Sequence, residues 1–192
     1  MKKNICTLCL LTLIANVLFG QIHTIPKVNG EYEYSSVITL DSSYKKDNLY
    51  RNVKLYFVDN YKSAKDVIQY DDKEQGKVIG KGSFYLKDYQ SLLITGISET
   101  REIYYSTEII CKDGKYKYKL YDFSIKRTIQ SGNGSIEYST MTIDEAYEAT
   151  NKGMTKKMAI RLYDKMVDHL KSSIEFLKLY MSKKESTNND QF

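Results

Sequence analysis

The sequence predicts an α+β fold: an antiparallel sheet interrupted by one helix and closed by a long C-terminal helix. Three observations carry this. "EYEYSSVITL" at 31–40, rich in β-branched and aromatic residues, is followed by an apolar stripe of helical period. Two strand-like runs flank Asp113-Gly114 and predict a tight hairpin. Near the C-terminus, Met158, Leu162, Met166, Leu170, Ile174, Leu177 and Met181 recur every three or four residues.

The elements follow in order. Residues 1–20 read as an export signal, with Lys2 and Lys3 ahead of an apolar run from Ile5 to Phe19. That run is shorter than the roughly 20 residues of a spanning helix. Cleavage is expected after Gly20, although Leu18 is bulkier than the small residue such sites carry. No later segment is apolar enough to cross a membrane, so the expected location is the periplasm or the cell exterior. Residues 21–30 hold the only proline and run extended; 31–183 form a single domain; 184–192 are a polar, frayed tail.

Within the domain, 31–40 is a strand. Ser42 or Ser43 is positioned to cap a helix over about 45–60, because a short hydroxyl satisfies the free N–H groups at a helix start. Leu49, Val53, Phe57 and Tyr61 make its covered stripe, with Tyr50 and Tyr56 beside it. Strands follow at 67–70 and 78–86, joined by the polar turn "DDKEQG". "SLLITGI" at 91–97 reads as a strand or a wide loop. Pairing outward from Asp113-Gly114 sets Cys111 opposite Tyr116, Ile109 opposite Tyr118 and Glu108 opposite Lys119. Tyr116, Tyr118 and Leu120 then share a covered face, and Lys115, Lys117 and Lys119 a wet one. The alternation slips at Leu120-Tyr121, which predicts a bulge or a change of covered face. "IQSGNGSIEYSTM" is turn-rich and ambiguous. "TIDE" at 142–145 fits a capping box for a short helix that breaks near Gly153, and the long helix spans about 155–183.

Composition excludes several chemistries. The net charge is +5, and loss of residues 1–20 lowers it by Lys2 and Lys3. Lysines and acids are mixed along the chain, whereas nucleic-acid binders concentrate basic charge on one face, so no nucleic acid is expected as partner. Cys111 is the lone cysteine after residue 20, so the mature chain has no internal disulfide. On the covered face it reads as an inert thiol.

"GKVIGKGSF" at 76–84 looks at first like a phosphate loop. It fails that test. Three residues separate Gly76 from Gly80, Lys81 is followed by Gly82, and "SFYL" continues as strand, so no helix N-terminus faces an anion. Gly80 and Gly82 read instead as strand glycines that permit a bulge or a close side-chain neighbour. The sequence has two histidines; His169 sits at the edge of the long helix's stripe with no His or Cys at ligand spacing and reads as a boundary residue. Asp71, Asp72 and Glu74 make a solvated turn rather than a calcium loop. No catalytic, metal or cofactor site is predicted, and the protein is expected not to be an enzyme.

The 18 tyrosines are the positive signal. Tyr32, Tyr34, Tyr56, Tyr116 and Tyr118 fall on predicted covered faces, where they either pack a core or line a cleft for a sugar, peptide or lipid. A cleft between sheet and long helix would be lined by Tyr116, Tyr118, Leu120, Met158, Leu162 and Met166. The expectation is a cell-envelope binding module holding a small apolar or aromatic ligand, or a protein partner. The alternative is a structural or interaction protein with a fully packed core and no ligand.

"NLYRNV", "SAKDVIQYDD", "GKVIGKG" and "KDGKYKY", within residues 31–126, resemble a family of exported bacterial proteins catalogued as a domain of unknown function with a TBP-like fold. The resemblance implies a β-α-β-β-β-β-α order, with a curved antiparallel sheet and helices on one side. It implies no activity and supplies no catalytic residues. Members often carry a tryptophan on the first helix; this chain has none, and Leu55, Tyr56 or Phe57 fills its place.

Overall fold

The computed structural model describes residues 24–61, 64–88, 98–149 and 156–184. The expected export signal and cleavage site, the segment 91–97 and the expected break near Gly153 lie outside the described residues. A short hairpin, β1 (Lys27–Val28) and β2 (Glu31–Tyr32), precedes β3 (Tyr34–Thr39), α1 (Lys46–Asn60), α2 (Ala64–Val67) and β4 (Ile68–Asp72). Then come β5 (Lys77–Asp88), β6 (Ser98–Lys112), β7 (Lys115–Gln130), β8 (Ile136–Met141), α3 (Ile143–Ala149) and α4 (Lys156–Met181). The main sheet is antiparallel in the order β3-β7-β6-β5-β4. β8 pairs with the half of β7 that β3 leaves open. The expected element order is present, with β1–β2, α2, β8 and α3 in addition.

The hairpin follows the predicted register: Cys111 faces Tyr116, Ile109 faces Tyr118 and Glu108 faces Lys119. Gly114 takes φ +69°. The pairing slips between Tyr104 and Ser106, opposite Tyr121–Ser124, where Asp122 adopts φ +56°. A bulge therefore re-aims the strand, and both Leu120 and Ile125 reach the covered face, each 2% exposed.

The cap of α1 differs from expectation. Lys45 precedes the helix without a side-chain cap, and Ser43 is engaged by Asp41. The amide of Lys46 donates instead to the Asp113 carboxylate at 2.7 Å. The hairpin turn is thus pinned to the helix start, and further bonds run from the Gly114 amide to the Tyr44 carbonyl and from the Leu40 amide to the Gly114 carbonyl, both 2.8 Å. An anionic oxygen at a helix N-terminus also meets the positive end of the helix dipole. By contrast, the capping box of α3 is as predicted: the Thr142 amide donates to Glu145 at 2.7 Å, and the Glu145 amide to Thr142 Oγ1 at 3.2 Å.

Both long helices lie on one face of the sheet. Along β5 the buried residues Val78, Gly80, Gly82 and Phe84 alternate with exposed or half-buried ones. The core joins Leu49, Val53 and Phe57 of α1 to Ile103, Ile109, Tyr116 and Leu120 of the sheet. It continues into Met166, Leu170, Leu177 and Met181 of α4. Burying each such side chain contributes about 1.5–3 kcal/mol. The end of α4 is tied to α1: the Asn52 amide donates to the Lys183 carbonyl and the Tyr44 hydroxyl to the Ser182 carbonyl, both 2.8 Å. These bonds satisfy carbonyls that a helix terminus leaves without partners.

Candidate ligand cleft

The predicted cleft residues divide. Tyr116, Tyr118 and Leu120 are packed in the core at 2%, 7% and 2% exposure, because α4 sits directly on them rather than standing off. Leu162 and Met166 border an apolar cavity of about 30 Å³ with Ile103 and Ile125. That is room for about one water, and an apolar void of this size stays dry. The side chain of Met158 lies outside the described residues. The interior beneath the middle of the sheet is therefore closed.

A cleft opens further along, between the end of α1, the middle of α4 and strands β5 and β6. Its position follows from the glycines of β5. A β-carbon on Gly80 would lie 2.8 Å from Cζ of Phe57, and one on Gly82 would lie 2.6 Å from the Tyr61 hydroxyl. Only glycine lets these rings settle onto the strand. The two rings stack on each other at 5.9 Å and 25°. The glycines of "GKVIGKGSF" are thus seats for aromatic rings, and Gly80 also lies where the β4–β5 register shifts, between Ile68 and Tyr70.

Three elements line the cleft, which encloses about 480 Å³. From the end of α1 come Tyr56, Asn60 and Tyr61. The sheet supplies Ser83, Phe84 and Tyr105 as a floor. His169, Ser172, Ser173 and Phe176 of α4 form the far wall; steps of three, one and three residues keep them on one helix face. The volume is within the range of small-molecule sites.

The rings are mutually braced. His169 stacks on Phe84 at 3.7 Å and 19°. Tyr105 stacks on Phe123 across the bulge, and its hydroxyl lies 3.2 Å from that of Tyr61. Burial pushes the Tyr56 and Tyr61 phenols well above their ordinary value of 10.0 and lowers the pKa of His169 below 6.5. At neutral pH the lining carries no ionised side chain. It offers aromatic faces, hydroxyls and one amide, and its imidazole has no carboxylate beside it in the lining.

His169, read as a boundary residue, is exposed but forms part of this wall, and Tyr61, read as stripe, closes one end. Asn60, Phe84, Tyr105, Ser172, Ser173 and Phe176 were not foreseen as neighbours. The spacing His169-Ser172-Ser173-Phe176 beside the apolar stripe is the available signal, but nothing in it names the facing strand. Among the described residues no cluster of three metal-ligating side chains occurs. Two buried carboxylates have structural partners: Glu99, 8% exposed, sits 2.6 Å from Arg101 and 2.8 Å from Arg127, and Glu33, also 8% exposed, pairs with Lys119 and Ser35.

A family model covers the sheet and α1. It is described as a domain of unknown function (DUF4468) with TBP-like fold, and it matches residues 34–126. Residues 34–126 are thus similar to the DUF4468 family over just under half of the chain. Two crystal structures share the fold. A DUF4468 family protein from Bacteroides ovatus ATCC 8483 superposes with a TM-score of 0.56 over 84% of this chain and 92% of its own, at 13% identity. A TBP-like protein from Parabacteroides distasonis ATCC 8503 gives a TM-score of 0.54 over 80% and 97%, at 14% identity. At these identities the likeness is one of fold. No curated protein matches the chain. Within the matched segment, Tyr56 and Phe57 fill the first-helix position expected to lack its tryptophan, at 2% and 0% exposure, whereas Leu55 is 42% exposed. Two walls of the cleft lie inside the matched segment, and α4 adds the third from beyond it.

Proposed function

We propose that this protein is a non-enzymatic binding module of the cell envelope that holds a small apolar or aromatic-faced ligand between its sheet and its long helix. The observation that carries the reading is the cleft of about 480 Å³ at Phe84, Tyr61 and His169. It is a groove open to solvent, and it is much wider than the 30 Å³ space farther along the helix–sheet interface. The lining has aromatic faces for affinity and a few polar groups for orientation, the usual composition of a small-molecule site. Export rests on Lys2, Lys3 and the apolar run from Ile5 to Phe19.

Native mass spectrometry of the protein purified from the organism that makes it tests the reading. The expected result is a second mass that disappears when the protein is unfolded. A single bare mass, together with no saturable binding from a library of neutral aromatic and aliphatic fragments, would overturn it. The rival reading, an interaction protein with no ligand, draws on the 30 Å³ space left between Leu162, Met166 and the sheet and predicts that bare mass.

A further inference from the structure

The chemistry of the lining narrows the ligand beyond an apolar or aromatic body. Charge taken out of water needs a partner of opposite sign, and the lining itself includes no lysine, arginine or carboxylate; the nearest charges, Glu102 bonded to Ser83 and Asp168, Lys171 and Glu175 beside Ser172 and Phe176, lie outside it. A carboxylate or phosphate ligand would meet no cation, and an ammonium ligand no carboxylate. The imidazole of His169 stacks on Phe84, and partial desolvation lowers its pKa from the ordinary 6.5, which disfavours its charged form.

The polar groups are mostly committed as donors and left open as acceptors. Ser172 and Ser173 give their hydroxyl hydrogens to the Asp168 and His169 carbonyls at 2.8 and 3.0 Å, so their oxygen lone pairs remain. Asn60 donates through Nδ2 to the Tyr56 carbonyl at 2.8 Å and keeps Oδ1 free to accept. The Tyr56, Tyr61 and Tyr105 hydroxyls are linked by two hydrogen bonds, so of their three O–H groups one is left to donate. A matching ligand brings several hydroxyl donors and little else that is polar.

The aromatic groups add shape. His169 and Phe176 stand seven residues apart on α4, about 10 Å along the axis, with the two serines between them. Phe176 is 39% exposed, so part of its ring is available to a ligand. A simple aromatic ligand would use the rings and leave the acceptors to water. An aliphatic chain would leave both.

We propose that the cleft takes a neutral saccharide of one or two pyranose rings, its C–H faces against Phe176 and Tyr61 and its hydroxyls donated to Asn60, Ser172 and Ser173. This rests on the cleft being a ligand site, and the test separates the two.

The ¹⁵N-labelled protein is titrated with glucose, N-acetylglucosamine, maltose, cellobiose, galacturonic acid and indole while amide shifts are followed. The expected result is saturable shifts at residues 60–61 and 169–176 with at least one neutral sugar and weaker binding of galacturonic acid. Phe176→Ser should weaken the sugar by about tenfold, and Ser173→Val, which removes an acceptor, should weaken it without affecting indole. The two variants are read only if they keep the wild-type urea midpoint. Saturation by indole with no response to any sugar would overturn the saccharide and keep the ligand site. Tighter binding of galacturonic acid than of the neutral sugars, or shifts confined to residues outside the cleft, would also overturn it. No saturable shift from any of the six would overturn the saccharide, while the retained mass above decides the ligand site separately.

Discussion

The ring of Phe57 lies on Gly80 so closely that a β-carbon at residue 80 would stand 2.8 Å from Cζ and 3.1 Å from Cδ1 of that ring. Phe57 is fully buried, so it has no free space into which to retreat. Gly80→Ala should therefore overpack the α1–β5 contact and destabilise the protein by about 1–3 kcal/mol. In a Phe57→Leu background the same substitution should cost less, with a coupling above about 0.5 kcal/mol. Urea midpoints of the four proteins check this; equal costs in both backgrounds would show that the ring does not rest there.

Gly114 sets the second prediction. Its φ of +69° is strained for any residue with a β-carbon, and most for a β-branched one. The turn also organises its surroundings, since Asp113 caps α1 and the Gly114 amide holds Tyr44. Gly114→Val should lower stability by about 1–3 kcal/mol, and an unchanged urea midpoint would contradict the turn.

How far these features could be read in advance depends on the range of the interaction. The hairpin register was legible because Asp113-Gly114 fixes every pair outward from it. The capping box of α3 was legible because both partners lie within four residues. The cap of α1 was not: Ser42 and Ser43 were the local candidates, but the donor's partner is Asp113, on a turn 67 residues away. β8 escaped notice because it pairs on one side only and is exposed from Ile136 to Thr140, so its residues need no alternation. The cleft was misplaced for a related reason. Apolar pattern reveals which faces are covered, and it located Tyr116, Leu120 and Leu162 correctly as interior. It does not reveal where a groove is left between helices and sheet, which here depends on two glycines seating two rings.

Cys111 provides a reporter of global opening. It is fully buried, and burial raises its thiol pKa to about 12. In a form beginning at Gln21 it is the lone thiol. Labelling by an aromatic disulfide reagent at pH 8 should be at least about a hundredfold slower than in the unfolded chain. Fast labelling of the native protein would place Cys111 outside the core.

His169 gives the protein a mild pH dependence. Its packing on Phe84 lowers its pKa below the ordinary 6.5, so the unfolded chain takes up a proton that the folded chain refuses. The stabilisation from this ring is complete above about pH 6.5 and is lost as pH falls toward the folded value. Between pH 7 and 5, His169→Phe should lose less stability than the wild type. Parallel curves of urea midpoint against pH would contradict the stacked, neutral imidazole.

A crystal structure of the protein purified from the organism that makes it would show whether the groove between sheet and helices is occupied. Continuous density of a small molecule between Phe84, Tyr61, His169 and Phe176 is the predicted result, with Asn60 and the two serines within hydrogen-bond reach of it. A cleft holding only scattered water, or filled by the chain's own side chains, would contradict the claim that this opening between sheet and helices is a binding site.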